Sequence, residues 1–355
     1  MNWQDIIILA LVAGTTTGIL IPLLKKLCFR FGFLDLPGEH KRHSFPTPNL
    51  GGLAMFIGFW ATILFAYHIY QPLASEIGRF LYFVLAGGTL ILLIGLIDDI
   101  SALSAVYKLM AQVVVGLILY QGGLQITYLF IPLYGPVKLG ILSLPFTLLW
   151  LVGVTNSINL IDGLDGLAAG VSAIAALVFL LIGIQFSLVT VIVFAAAIIG
   201  ICLVFLYFNH YPAQIFMGDS GSLFLGYLFA VLSIIFPIKS YVTAAVFVPL
   251  VALGVPIMET LVSFSRRVIA GQRFYKADNR HLFHYLEASG LSKAQVVWLF
   301  YLFSAVFAVF SGAMFLFEKR LVFTILVIFM VVIFIVLFRF RLAYIRKNKE
   351  SERYG

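Results

Sequence analysis

Eleven stretches of about twenty mostly apolar residues run through the chain, each long enough to cross a bilayer as a helix. They cover 3–24, 51–70, 80–97, 104–120, 141–160, 167–184, 188–208, 220–236, 241–265, 294–317 and 320–340. In lipid the backbone must satisfy its own hydrogen bonds, so such stretches are confined to helices packed against one another. Composition agrees: 62% of the 355 residues are hydrophobic and 11% are charged, whereas about 25% is usual for soluble domains. The expected fold is an all-α polytopic membrane protein with about eleven transmembrane helices. One integral membrane domain would span 1–340, and 341–355 would form a basic tail anchored at an anionic leaflet.

The chain starts Met1-Asn2-Trp3-Gln4-Asp5. It lacks the basic start of a cleavable signal, so 3–24 is expected to stay as the first span. Cys28 and Cys202 suggest neither a disulfide framework nor a metal site. The net charge of +8 has to be judged by where the basic residues fall. With the N-terminus outside, 25–50, 98–108, 161–166, 209–219 and 266–293 become cytoplasmic loops. That side, tail included, then holds eighteen Lys and Arg, among them Lys25, Lys41, Lys108, Arg273 and Arg346. The other side holds five: Arg79, Lys138, Lys239, Lys319 and Arg320. This bias predicts an outside N-terminus and a cytoplasmic C-terminus, and it leaves nucleic acid without a role. Gly122-Gly123 and Tyr134-Gly135-Pro136 between short apolar pieces predict a small external β-hairpin within 121–140.

The same orientation puts every dense polar motif on the cytoplasmic face. The central run, Asn156 to Gly170, holds Asn156, Asn159, Asp162 and Asp165. Three-residue spacing puts each pair on one helix face. Helix capping is the alternative, but it needs one such residue and not four. Asp98-Asp99 ends a helix whose C-terminus is already partly negative, an arrangement that a cation would relieve. Gly218-Asp219-Ser220-Gly221 opens a helix and offers free backbone N–H groups, a natural anion cradle. An N-cap role for Asp219 is the alternative there, and Phe216 has an interfacial alternative. Arg280, His281 and His284, with Arg273 and Lys276 nearby, suit a polyanion. Lys41, Arg42 and His43 lie in a Pro- and Gly-rich basic loop of similar character. Carboxylates converging among fixed cations suggest a hard divalent metal and a phosphate substrate. Zinc is disfavoured, because there is no Cys pair and the two His lack a partner set.

These motifs, in this order from about Asp35 to Gly290, resemble the polyprenyl-phosphate N-acetylhexosamine-1-phosphate transferases. The resemblance is carried by Asp98-Asp99, Tyr107-Lys108, Asn156 to Gly166, Phe216-Met217-Gly218-Asp219 and His281 to His284. It implies transfer of a sugar 1-phosphate from a UDP-sugar to a polyprenyl phosphate, with release of UMP, in the bacterial cytoplasmic membrane. The cofactor it implies is magnesium, with manganese as a substitute. Arg280-His281-Leu282-Phe283-His284 resembles the undecaprenyl-phosphate N-acetylglucosaminyl 1-phosphate transferase branch, although Phe283 stands where that branch has a second adjacent His. The muramoyl-pentapeptide branch, with its tight His run, is the alternative.

By the same resemblance, Asp219 and Asp99 are implied metal ligands, and Asp98, Asp99, Asp162 and His281 catalytic residues. Asp162, Asp165, Asn209 and Phe216 would form the nucleotide pocket, with Phe216 stacking on uracil. Lys41, Arg42, Lys108, Arg280, His281 and His284 would hold phosphates, and His43, Asn156 and Asn159 would also contact substrate. A homodimer is compatible with these features. A transporter is disfavoured, because transporters place charges near the midplane of repeated halves and here the acids cluster at one interface.

Overall fold

A computed structural model describes residues 1–36, 45–131, 135–240, 253–260, 282–318, 321–322 and 324–332. Among the described residues, eight helices are long and apolar enough to cross a membrane. Of the span expected at 241–265 only 253–260 is described, and of the span expected at 320–340 only 321–322 and 324–332.

Helix α1 covers Trp3–Phe31, α2 Gly51–Ile69, α3 Gln71–Ser101 and α4 Ala105–Gln121. They are followed by α5 Ser143–Ile161, α6 Leu167–Gln185, α7 Val189–Asn209 and α8 Gly218–Ser240. A short α9, Leu282–Ala288, leads to α10, Lys293–Leu316. Helices α1, α3 and α8 outrun their sequence-based limits by several residues. Helix α1 opens with a reciprocal Asn2–Asp5 capping box, passes through Pro22 and ends only at Gly32, which is left-handed at φ 77°. Helix α3 continues to Ser101, past the expected limit at 97, and Asp98 and Asp99 sit in its last turn, at the helix end where they were expected.

Successive long helices are antiparallel. The C-termini of α1, α3, α5 and α7 therefore meet the N-termini of α2, α4, α6 and α8 at one end of the bundle. At the other end, β3 (Tyr128–Ile131) pairs antiparallel with β4 (Gly135–Lys138), which is the hairpin expected within 121–140. At the polar end, Leu34–Asp35 pairs with Thr47–Pro48 as β1 and β2.

Helix α8 is the centre of the bundle. Of its most apolar stretch, 89% is buried, against 33% for α1. It packs on α2, α3 and α5. Lipid tails are as apolar as Leu, so close backbone approach between small residues has to hold membrane helices together. A Cβ on Gly52 of α2 would strike the backbone at Gly221, and one on Gly95 of α3 would strike the Ser220 backbone. Both contacts fall in the first turn of α8. Farther from the polar end, Phe59 stands edge-on to Phe194 at 5.2 Å and to Phe224 at 5.8 Å.

Candidate active site

The site begins with an electrostatic problem. Asp98 and Asp99 crowd the negative end of the α3 dipole, and the fold sends them in different directions. The Asp99 carboxylate reaches the N-terminus of α8, where Oδ1 accepts the Asp219 N–H (2.7 Å) and Oδ2 the Ser220 N–H (3.2 Å). A carboxylate there meets unpaired donors and the positive end of a helix. Gly218 makes this approach possible: it is left-handed at φ 68°, and a Cβ on it would overlap the Asp99 carboxylate. The anion cradle expected at Gly218 to Gly221 is thus filled by the protein's own carboxylate.

Asp98 turns the other way. Its Oδ1 accepts the Leu103 N–H at 2.6 Å, and its Oδ2 accepts from Lys108 Nζ at 3.0 Å. Lys108 stands in the first turn of α4 and also reaches Asp219 Oδ2 at 2.7 Å. The other Asp219 oxygen accepts from Asn159 Nδ2 (3.1 Å), which also donates to Ser222 Oγ (2.9 Å). One ammonium therefore joins two carboxylates from α3 and α8, and an α5 amide steadies the second. The side chains of Lys108 and Asp219 remain about a quarter exposed, at 24% and 26%, so the centre is open to a ligand.

Asp162 and Asp165 do not share a helix face. Helix α5 ends at Ile161, and 162–166 is a turn into α6. The Asp162 carboxylate accepts no hydrogen bond from the described residues. Its pKa is pushed up to about 8 by burial first, then by the charges of Asp219, Asp99 and Asp165. Asp165 instead fastens the next loop, accepting the Ala213 N–H at 3.0 Å. Asn209 is 4% exposed. It accepts from Gly166 N–H (2.9 Å) and donates to the Ile215 carbonyl (2.8 Å). The polar contacts seen for Asp165 and Asn209 thus shape the 210–217 loop.

Asn156 lies deeper. It exchanges amide hydrogen bonds with Gln112 of α4, at 2.6 Å and 3.3 Å, and so joins two helices. Phe216 is half-buried, and its main chain pairs with Pro48 and Gly51 at the start of α2. His284 is half-buried on α9, its ring 4.5 Å from that of Phe283. Lys41, Arg42, His43, Arg280 and His281 lie outside the described residues.

The structure brings in residues the sequence reading passed over. Asn49 donates to the Asp99 carbonyl at 3.1 Å, and Ser222 and Gln112 complete the amide contacts. Gln112 was open to detection as a lone amide in an apolar helix, which in a membrane marks a polar contact between helices. Asn49 and Ser222 carried no such signal, because their partners are distant in sequence.

The fold and site define a class: a polytopic membrane protein whose acidic and cationic groups meet at one mouth of a helix bundle, where a polar reactant and a lipid can both reach them. Residues 81–237 match the family described as glycosyl transferase family 4. A "probable undecaprenyl-phosphate N-acetylglucosaminyl 1-phosphate transferase" of Bacillus subtilis is 35% identical, over 93% of this chain and 90% of that protein. A decaprenyl-phosphate N-acetylglucosaminephosphotransferase of Mycolicibacterium smegmatis is 33% identical, over 86% of this chain and 81% of its own length. A phospho-N-acetylmuramoyl-pentapeptide-transferase of Clostridium beijerinckii is also 33% identical, over 82% of this chain and 89% of its own. The chain belongs to the polyprenyl-phosphate N-acetylhexosamine-1-phosphate transferases, in the branch of the undecaprenyl-phosphate N-acetylglucosaminyl 1-phosphate transferases.

Proposed function

We propose that the chain transfers N-acetylglucosamine 1-phosphate from UDP-N-acetylglucosamine to undecaprenyl phosphate, releasing UMP, as the first membrane step of envelope polysaccharide synthesis. The observation that carries this reading is Lys108 bridging Asp98 and Asp219 at the polar mouth of the bundle. The positive-inside bias of the loops supports a mouth that faces the cytoplasm.

The residues present fit a magnesium ion. Asp219 is partly exposed, it offers oxygen donors, and Lys108 already marks a cation position shared with Asp98. Among the described residues no three Asp, Glu, His or Cys side chains form a metal cage. Magnesium takes one or two carboxylates and fills its shell with water and substrate phosphate. Asp219 would hold it, with Asp98, whose Oδ2 already faces the Lys108 ammonium, ahead of Asp99, whose oxygens face main-chain N–H groups of α8. When bound, the ion would supply charge neutralisation for the phosphates.

The chemistry is attack by a lipid phosphate oxygen on the sugar-bearing phosphorus, breaking the pyrophosphate bond so that UMP leaves. A phosphomonoester has its second pKa near 6 and is largely dianionic at pH 7, so the nucleophile needs little deprotonation. Asp98 accepts from the Leu103 N–H and from the Lys108 ammonium, which favours a role in holding a cation over one as a general base. Lys108 is placed to offset the repulsion between the two anionic substrates, and catalysis rests on positioning and charge stabilisation.

The test incubates the purified full chain with UDP-N-acetylglucosamine, undecaprenyl phosphate and magnesium. UMP and lipid-linked sugar should appear in equal amounts, and EDTA should stop both. UMP without the lipid product, or turnover only with the UDP-muramoyl-pentapeptide, would sink the proposal.

A further inference from the structure

The turn that carries Asp162 is fixed firmly at one end. Asp165 accepts from Ala213, Asn209 accepts from Gly166, and Tyr301 of α10 donates to the Gly166 carbonyl at 2.7 Å. At the Asp162 end, among the described residues, a single hydrogen bond runs from the Asp162 N–H to the Asn159 carbonyl, at 3.2 Å. What meets this end is an aromatic ring. The Phe283 ring occupies the space that a Cβ on Gly163 would need. The ring is 2% exposed, and it sits in the first turn of α9, where Glu259 accepts the Leu282 N–H at 3.1 Å. Gly163, next to Asp162, has no side chain of its own to pack, so the ring bears directly on its main chain.

We propose that Phe283 is a positioning residue for Asp162: its ring, seated on Gly163, fixes the turn that carries this carboxylate. The ring touches no reacting atom and acts through the turn. The inference rests on the activity proposed above, and its test has one arm independent of that activity.

The first arm is hydrogen exchange on the detergent-solubilised full chain. Phe283→Ala should speed exchange in peptides covering 159–166 while those of α8 stay protected. Unchanged exchange across 159–166 would overturn the contact's role, whatever the protein catalyses. The second arm is kinetic. Displacement of a reacting group by about 1 Å costs roughly a hundredfold. Phe283→Ala should therefore lower kcat by about ten- to a hundredfold, with little change in KM for the sugar nucleotide. Phe283→Leu, which keeps apolar bulk, should recover most of the rate. In an Asp162→Asn background, Phe283→Ala should have almost no further effect. The same fold-loss in both backgrounds would show the ring acting elsewhere. A wild-type protein that forms no lipid-linked sugar would refute the proposed activity, and the exchange arm would still decide the contact.

Discussion

Single side chains divide into those that hold the site and those left open for work. Asp99 caps α8, and losing a capping carboxylate costs about 0.5–2 kcal/mol. Asp99→Ala should lower the unfolding midpoint in detergent, whereas Asp219→Ala, whose partner Lys108 stays near Asp98, should unfold close to wild type and lose turnover. Measuring both quantities on both variants separates the roles. Asp162 gives a pH signature. Its folded pKa of about 8 lies above the ordinary 3.8, so the folded state holds this proton more tightly than the unfolded chain. That stabilisation is complete below about pH 4 and is lost as pH rises through about 8. Thermal unfolding in metal-free detergent should show the midpoint falling between about pH 5 and pH 9, with a smaller fall in Asp162→Asn.

At the scale of helices, the close crossings around the start of α8 matter most. Gly95→Val would drive a side chain into the Ser220 backbone and displace the turn that Asp99 caps. The expected outcome is a sharp loss of folded protein on size-exclusion chromatography. The Gln112–Asn156 pair makes a gentler case, since hydrogen bonds between membrane helices average about 0.6 kcal/mol. Much of the element order was legible in the sequence, because a twenty-residue apolar run in lipid has one common solution. The hairpin was legible from its Gly and Pro. Less legible was where polar helix ends stop being helix: Asp98 and Asp99 lie inside α3, and Asp162 and Asp165 lie in a turn. Apolar periodicity fades at such boundaries, and local spacing cannot reveal a cap supplied from another helix, as Asp99 supplies one 120 residues away in sequence. The motifs were therefore found, while the work of Asp165, Asn209 and Asn156 in bracing loops and helices was not.

For the whole molecule, sidedness is the property to test. Ile141, 93% exposed, lies by the hairpin end, and Tyr211, 60% exposed, lies at the acidic mouth. Cys28 and Cys202 are buried and give a quiet background. A membrane-impermeant thiol reagent should label Ile141→Cys in intact cells and Tyr211→Cys only after the membrane is opened. Labelling of both from outside would overturn the cytoplasmic assignment. The Asp99 cap has a consequence for how such a protein selects its ligands. In many phosphate sites the crown of main-chain amides at a helix start is the receptor, and it fits any tetrahedral oxyanion. Here an internal anion has taken that seat, so on the proposed activity a visiting phosphate would be met by the Lys108 ammonium rather than by main-chain amides. Recognition then depends on how much negative charge the visitor brings, which would let a doubly charged lipid head prevail over the singly charged phosphodiester lipids that surround it.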